Sequence, residues 1–228
     1  MITKAVIDNA IRQSTMMSPT GLSFIKNKLI EVVNGGVEGD VVECGCWMGG
    51  CSATMAQTLL ETNSIRTVRL FDSFDDICEP LPLDGPRLIK QVGGLKNAQG
   101  RLQPIKGFYR KRKLSGPGNA KHAYKLLTNI VGYPKDKVKI YKGWFQNTIV
   151  PYSKRIDKIA LLIIDCDLYS SIKICLEHLY PKLVTNGFII IDDYFYYDGA
   201  KLAVDEYLKN NSITVKIPGG GFAWWKKQ

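Results

Sequence analysis

The sequence predicts an α/β fold in which a mostly parallel β-sheet is covered by helices on both faces. Short segments rich in Val, Ile and Leu alternate with segments whose apolar residues recur at helical spacing. Two of the apolar segments, residues 159–164 and 187–191, carry no charged side chain, as expected for strands buried on both faces. No linker or internal repeat divides the 228 residues, a length that can bury one large core.

The first half of the chain predicts two strands of this sheet and the helices beside them. The expected elements are a helix at 22–33, a strand at 40–44, a helix at 52–61 and a strand at 67–71. Asn34-Gly35-Gly36 ends the first helix, because glycine adopts the left-handed cap conformation without steric cost. Residues 75–120 lose periodicity and gain Gly and Pro, so we expect an inserted, lid-like loop region there.

The second half predicts the remaining five strands. The expected elements are a helix at 120–131, strands at 137–141 and 159–164, a helix from Ser170 to Leu183, a strand at 187–191, a helix at 200–208 and strands at 213–217 and 222–225. The last two strands flank Pro218-Gly-Gly-Gly221, which favours a closing antiparallel hairpin. We therefore expect one domain over residues 1–228 with seven strands and an N-terminal helical segment at residues 1–36.

Composition and charge narrow the class of protein. No apolar stretch approaches the length of a membrane span, and no secretory signal is expected at the N-terminus. The six cysteines are expected to be reduced thiols in a cytoplasmic protein. The net charge of +10 is concentrated in the acid-free stretch from Arg101 to Lys125, which is either a solvated loop or a surface for an anionic partner.

A glycine-bearing turn follows the first predicted strand. It contains Glu43, Gly45 and Gly49, and its spacing matches neither the dinucleotide fingerprint nor a P-loop. An acid at the strand end is unfavourable for a pyrophosphate but favourable for the cationic S-adenosylmethionine. Asp72 ends the second strand and is placed to accept hydrogen bonds from a ribose. The simpler alternative is an ordinary tight turn with a solvated acid.

Two pairs of acids follow neighbouring predicted strands. Asp165 and Asp167 come after residues 159–164, and Asp192 and Asp193 come after residues 187–191. Carboxylates gathered at one sheet edge repel one another, and a hard divalent cation such as Mg²⁺ relieves that repulsion. The alternative is that these acids cap the helices that follow.

Two other functions remain open from these residues. A metal-dependent nucleotide-sugar glycosyltransferase would use Asp165-Cys166-Asp167 to hold a metal–diphosphate, but it leaves the glycine turn unexplained. A basic RNA-binding module would use Arg110 to Lys113 and the tyrosines, and its binding would collapse with salt. That hypothesis explains neither acid pair, so a nucleic-acid partner is not expected.

Five short motifs in order resemble the macrocin O-methyltransferase (TylF-type) family of S-adenosylmethionine-dependent sugar O-methyltransferases. They begin at Gly39, Leu70, Lys142, Asp165 and Ile191, and read GDVVECGCWMGG, LFDSF, KGWFQNT, DCDLYSS and IDDY. The resemblance implies a Rossmann-like class I methyltransferase that moves a methyl group to a hydroxyl of a sugar or glycosylated small molecule. Residues 75–135 match the family poorly, so the acceptor stays open.

The resemblance also implies roles for individual residues. Cofactor contacts would come from Glu43, Gly45, Cys46 and Gly49 at the methionine part, Asp72 and Ser73 at the ribose, Phe74, Gly143, Phe145 and Gln146 at the adenine, and Asp165. Mg²⁺ would be held by Asp165, Asp192 and Asp193. Asp165 and Asp167 are the candidate catalytic residues, with Asp167 as general base or a further metal ligand.

The acceptor is expected to be a small molecule or glycan. The basic peak at Arg110 to Lys113 departs from the family pattern and favours an anionic acceptor, such as a phosphorylated or uronate-bearing sugar. A homo-oligomer stays open, since the sequence does not fix the oligomeric state.

Overall fold

Six strands form one central sheet in the part of the chain that the computed structural model describes, residues 2–111, 114, 116–218 and 221–228. The strands are β1 (Asp40–Cys44), β2 (Val68–Asp72), β3 (Val138–Lys142), β4 (Ile159–Ile164), β5 (Leu183–Ile191) and β6 (Ala223–Lys226). Their order across the sheet is β3-β2-β1-β4-β5-β6, and every neighbouring pair is parallel except β5 and β6. The strand order reverses between β1 and β4, as in a doubly wound Rossmann-like sheet.

Helices cover both faces of this sheet. They are α1 (Lys4–Gln13), α2 (Pro19–Asn34), α3 (Gly50–Glu61), α4 (Gly85–Gln91), α5 (Phe108–Lys111), α6 (Ala120–Lys125), α7 (Phe145–Tyr152), α8 (Tyr169–Leu179) and α9 (Asp198–Asn210). Residues of α1, α2, α3 and α6 pack on one face, and residues of α4, α5, α7, α8 and α9 belong to the core on the other. None of the helices in the described ranges has the length and apolar character needed to cross a membrane.

Strand β4 shows why its sequence is apolar throughout. All of its residues are buried. Leu161 and Ile163 belong to the core beneath α2 and α3, whereas Leu162 and Ile164 belong to the core beneath α8 and α9. Burial of each such side chain stabilises the fold by about 1.5–3 kcal/mol, so a charge on either face would be costly.

The parallel strands end together at one edge of the sheet. Cys44 at the end of β1 pairs with Phe71 of β2 and with Ile164 of β4, and Ile164 pairs with Ile191 of β5. The residues immediately after these positions therefore share the carboxyl edge, where doubly wound folds bind their ligands.

The predicted closing hairpin is wrong. Residues 213–217 form no strand, and β6 alone supplies the antiparallel edge by pairing with β5, so the described sheet has six strands rather than seven. Ile213, Val215 and Ile217 pack against the core as an extended segment without a ladder partner. Because every second side chain packs against the core, the segment shows the same alternation of apolar and polar residues as a strand. Residues 219 and 220 of the predicted turn lie outside the described ranges.

The segment predicted as an inserted loop, residues 75–120, contains short helical elements that its Gly and Pro content concealed. Besides α4 and α5, residues 82–84 and 95–97 form single 3₁₀ turns, and Cys78 pairs with Pro104 in an isolated bridge. Helix α7 was also not predicted. We call residues 75–118 the insert.

Candidate active site

A cavity of about 500 Å³ lies at the carboxyl edge of the sheet. Its wall includes residues at or after the ends of β1 to β5, residues of the α1–α2 connection and residues of the insert. Six acids line it, and no Lys or Arg does so within the described ranges: Glu43, Asp72, Asp165, Asp167, Asp192 and Asp193. A cavity of this size and charge suits a drug-sized ligand that carries positive charge.

The glycine turn brings the ends of β1 and β4 into direct contact. Gly45 has φ 87°, and a Cβ there would lie 1.6 Å from the backbone oxygen of Asp165. Only glycine fits, because a side chain would both strain the backbone and push the two strand ends apart. Gly45 thus serves the assembly of the acidic edge as well as the approach of a ligand.

Glu43 is a buried acid in the cavity wall. It is 2% exposed, and the hydroxyl of Ser52 on α3 donates a hydrogen bond to it. Burial raises the pKa of Glu43 to about 7, and the hydrogen bond from Ser52 offsets only part of that effect. A cationic ligand beside Glu43 would favour its charged form.

Asp72 organises the turn that follows β1. Its Oδ2 accepts hydrogen bonds from the backbone N–H of Cys46 at 2.6 Å and of Trp47 at 2.8 Å, and its Oδ1 accepts one from Phe74 at 2.6 Å. Burial raises the pKa of Asp72, while these backbone donors favour the ionised form. The carboxylate therefore ties β2 to the glycine turn and also faces the cavity.

The structure brings the three predicted metal ligands together. Asp165, Asp192 and Asp193 each place an oxygen so that all three atoms lie within 4.8 Å of one another. Burial, and then the repulsion from Asp192, raises the pKa of Asp165 well above its usual range. Clustered carboxylates are the ligands that Mg²⁺ prefers, so the donor set of this cluster fits a divalent cation.

Asp167 lies beside this cluster in a constrained backbone conformation. Its φ is 57°, and its backbone N–H donates to Asp193 Oδ2 at 2.9 Å. The side chains of Asp167 and Asp193 are also hydrogen-bonded to each other. Asp167 is thus fixed at the edge of the cavity next to the three clustered acids.

The other predicted cofactor residues divide into two groups. The cavity wall includes Gly45, Cys46, Ser73, Phe145 and Gln146. The remaining three lie outside that wall: Gly49 is the N-cap of α3, Phe74 is buried in the core on the α3 side, and Gly143 donates to the backbone oxygen of Asp72. Their contact with a cofactor stays a prediction.

Several cavity residues were missed by sequence reasoning. Trp47 donates from its indole nitrogen to the backbone oxygen of Gly116 at 2.9 Å, which fastens the insert to the glycine turn. Tyr109 from α5, Tyr196 after β5, and Met16 from the α1–α2 connection also line the cavity. Trp47 lies inside the first motif, and Trp144 and Ser171, which also line the cavity, lie inside the third and fourth. Tyr109, Tyr196 and Met16 lie outside the motifs, so only tertiary contacts reveal them.

The basic stretch is partly neutralised by acids outside it. Arg101 forms a two-bond ion pair with Glu79, with both contacts at 2.7 Å, and Lys106 lies 3.9 Å from Asp75. Arg110 and Lys111 are exposed on α5. Arg112 and Lys113, the rest of the predicted basic peak, lie outside the described residues.

Neither cysteine pairing nor a cysteine metal site is present in the described ranges. The six cysteines are free thiols, and five of them are buried. The group of possible metal ligands that the described residues do form is the aspartate cluster.

The strand order, with a ligand cavity at the carboxyl edge, is that of the Rossmann-like fold of class I O-methyltransferases. The chain belongs to the macrocin-O-methyltransferase (TylF) family, whose sequence profile matches residues 5–100 and 125–227. The resemblance seen in the five motifs is thereby confirmed, and the glycosyltransferase and RNA-binding alternatives lose their support. The expected poor match over residues 75–135 is too wide, since the profile leaves only residues 101–124 of that range unmatched.

Individual relatives agree with this assignment. The chain is 32% identical to demethyldecarbamoylnovobiocin O-methyltransferase of Streptomyces niveus, over 92% of this chain and 74% of the relative. It is 30% identical, over the same shares, to 8-demethyl-8-(2,3-dimethoxy-alpha-L-rhamnosyl)-tetracenomycin-C 4'-O-methyltransferase of Streptomyces olivaceus. The solved structure of the O-methyltransferase NovP superposes with a TM-score of 0.74 at 28% identity, covering 94% of this chain and 82% of NovP.

Proposed function

We propose that this enzyme transfers the methyl group of S-adenosylmethionine to a hydroxyl of a sugar or glycosylated small molecule, and that it requires Mg²⁺. The observation that carries the proposal is the aspartate cluster after β4 and β5, which shares one cavity with Glu43 and Asp72. The rhamnosyl group in the name of the Streptomyces olivaceus relative supports a sugar as the acceptor.

The aspartate cluster fits Mg²⁺ by its donor set. Three carboxylates within 4.8 Å provide hard oxygen ligands, and their mutual repulsion favours a bound cation. Asp165, Asp192 and Asp193 would hold it. When bound, Mg²⁺ would supply positive charge that favours the ionised form of an acceptor hydroxyl.

The chain's own residues would orient the reactants and move one proton. A carboxylate oxygen of Asp167 would accept the proton of the acceptor hydroxyl, because Asp167 lies beside the metal ligands and faces the cavity. Glu43 and Asp72 would place the methyl donor at the other part of the wall. Trp47 and Tyr109, which bring the insert over the cavity, would exclude water from the reacting groups.

The test of metal dependence combines chelation with a point variant. EDTA should lower the rate of methyl transfer by about a hundredfold, and added Mg²⁺ should restore it. Asp192→Asn should lose a similar factor in kcat while the calorimetric affinity for S-adenosylhomocysteine stays within about threefold. The acceptors assayed would be rhamnosides and uronate-bearing glycosides.

Asp157→Asn is the matched control, because Asp157 is exposed before β4, at the opposite edge of the sheet. It should leave the rate unchanged. A full rate in EDTA, or in Asp192→Asn, would show that the reaction needs no metal at this cluster.

We also propose that the basic peak of the insert favours an anionic acceptor. Arg110 and Lys111 are exposed, whereas Arg101 and Lys106 in the same stretch have acidic partners. An anionic group of the acceptor would therefore be attracted to the outer part of the insert, away from the acids of the cavity.

A further inference from the structure

Tyr196 is an exposed aromatic residue at the mouth of the cavity. It lies three residues after Asp193 and is 50% exposed, yet it forms part of the cavity wall. A half-exposed ring that also borders a ligand cavity has one side available to whatever extends out of that cavity.

The ring of Tyr196 is held in place before any ligand binds. The guanidinium of Arg87 lies 4.2 Å from the ring centroid, and its Nη1 donates to the backbone oxygen of Tyr196 at 3.2 Å. The ring of Tyr197 meets it edge-on at 4.7 Å. Tyr197 is itself buried, and its hydroxyl donates to Gln91 at 2.9 Å. A ring fixed in this way loses little conformational entropy when it stacks on a ligand.

The neighbouring Phe195 shows that exposure alone is not the signal. It is the last residue of the 3₁₀ turn that Tyr196 follows and has the same exposure of 50%, and its ring packs edge-on against Tyr194 at 4.9 Å. Phe195 is not part of the cavity wall. Tyr196 combines exposure, rigid support and continuity with the active site, whereas Phe195 lacks the last of these.

If the reacting sugar lies beside Asp167, the remainder of the acceptor extends toward the exposed part of the cavity wall, which includes Tyr196. Met16, which is 54% exposed, lines the same cavity, and its flexible thioether adapts to apolar ligands of different shape. The exposed part of the wall thus offers an aromatic face and a soft apolar side chain.

We propose that Tyr196 forms a stacking subsite for a flat, apolar aglycone of the acceptor. This inference rests on the proposed function, because it assigns the sugar to the acidic end and the aglycone to the mouth. Offset stacking of two rings is worth enough to change affinity by about three- to tenfold. The subsite would make the enzyme prefer glycosides of aromatic compounds over simple alkyl glycosides.

The experiment compares two glycosides that share a sugar. The affinities of 4-nitrophenyl and methyl α-L-rhamnopyranoside are measured by calorimetry on the full chain with S-adenosylhomocysteine and Mg²⁺ present. The wild-type enzyme should bind the nitrophenyl glycoside about three- to tenfold more tightly. Tyr196→Ala should abolish this preference, and Tyr196→Phe should keep it because the ring remains.

Phe195→Ala is the matched control and should keep the full preference, since Phe195 lies outside the cavity wall. Equal affinities in the wild-type enzyme, no detectable binding of the nitrophenyl glycoside at millimolar concentration, or an unchanged preference in Tyr196→Ala would each overturn the proposal. A lower sedimentation mass of Tyr196→Ala would also overturn it, by showing that a second copy of the chain covers the ring.

Binding is read without methyl transfer, so the two proposals fail separately. Failure of the proposed function appears as absent methyl transfer, whereas failure of the subsite appears as an absent aryl preference.

Discussion

Glu43 is a buried acid whose ionisation destabilises the fold. Its carboxyl group is buried, and burial raises its pKa to about 7, so the protonated form is the more stable one in the unliganded fold below that pH. In the unfolded chain the pKa of the group lies near 4.5, the ordinary value of a Glu side chain. The folded state therefore binds more protons than the unfolded state between these two values, and stability falls as pH rises through this window.

We predict that Glu43→Gln removes this part of the pH dependence. Relative to wild type, the variant should gain up to about 3 kcal/mol in unfolding free energy between pH 4.5 and 8, because the wild-type carboxyl must ionise while buried. The measurement is guanidinium unfolding of the two proteins across that range, without ligand and in EDTA. Parallel stability curves for the two proteins would contradict the expectation.

Glu61→Gln is the control, and its pH response should have the opposite sign. Glu61 pairs with Lys4 and Lys26, and hydrogen bonds from Lys26 and Lys4 lower its pKa although burial opposes this. Such a group contributes stability above its unfolded pKa and loses it as pH falls. The pair is partly exposed, so the effect should be small.

The acidic residues of the site could be predicted from the sequence because strand ends are visible there. Asp165 and Asp192 each follow an uninterrupted apolar run, and parallel neighbours must end at one edge. The positions of Phe74 and Tyr196 could not be predicted in this way. The ring of Phe74 lies in the core on the α3 side, and the ring of Tyr196 lies at the cavity mouth. Contacts between segments far apart in the sequence decide which of these positions a ring takes.

At the scale of elements, Asp84 joins the insert to the helix that follows Asp167. It is fully buried, and its two oxygens accept hydrogen bonds from the backbone N–H of Leu81 and of Tyr169, both at 2.6 Å. Tyr169 is the first residue of α8. One carboxylate therefore sets the position of the insert and of the start of α8, next to Asp167.

We predict that Asp84→Asn weakens both attachments. The amide group would place a donor against one of the two backbone donors, which should destabilise the fold by about 1–3 kcal/mol and lower kcat more than it changes KM. Unfolding and steady-state kinetics measure the two effects. Asp75→Asn, at a partly exposed site in the same insert, should stay within about 0.5 kcal/mol of wild type. Wild-type stability and kcat in Asp84→Asn would show that the link is dispensable.

The elements differ in how far their sequences reveal them. The predicted bounds of strands β1 to β4 agree with the structure to within one residue. Strand β4 is a continuous apolar run, whereas β1, β2 and β3 are short apolar segments that each contain two charged residues. The short helices of the insert were not predicted, because their few turns are stabilised by contacts such as those of Asp84 rather than by local periodicity. The predicted strand at 213–217 is wrong for a related reason. Every second side chain of a segment can pack against the core without backbone hydrogen bonds to a neighbouring strand.

At the scale of the whole molecule, opposite charges are separated in space. The net charge is +10, yet the cavity wall in the described ranges has six acids and no Lys or Arg. The positive charge lies outside this wall, including Arg110 and Lys111 on α5. An acceptor would therefore meet a positive exterior first and an acidic interior afterwards.

This separation predicts that the basic peak acts on acceptor charge and leaves the cofactor unaffected. Replacing Arg110 to Lys113 with Ser should raise KM for 4-nitrophenyl β-D-glucuronide several-fold, but not KM for the neutral 4-nitrophenyl β-D-glucoside, because only the former carries a carboxylate to attract. Added salt should narrow the difference between the wild-type and variant enzymes. Affinity for S-adenosylhomocysteine should not change.

Lys154→Ser with Arg155→Ser, two exposed residues just before β4, should leave the ratio of the two KM values unchanged. An altered cofactor affinity together with an unchanged KM ratio in the basic-peak variant would show that these residues act on the cofactor.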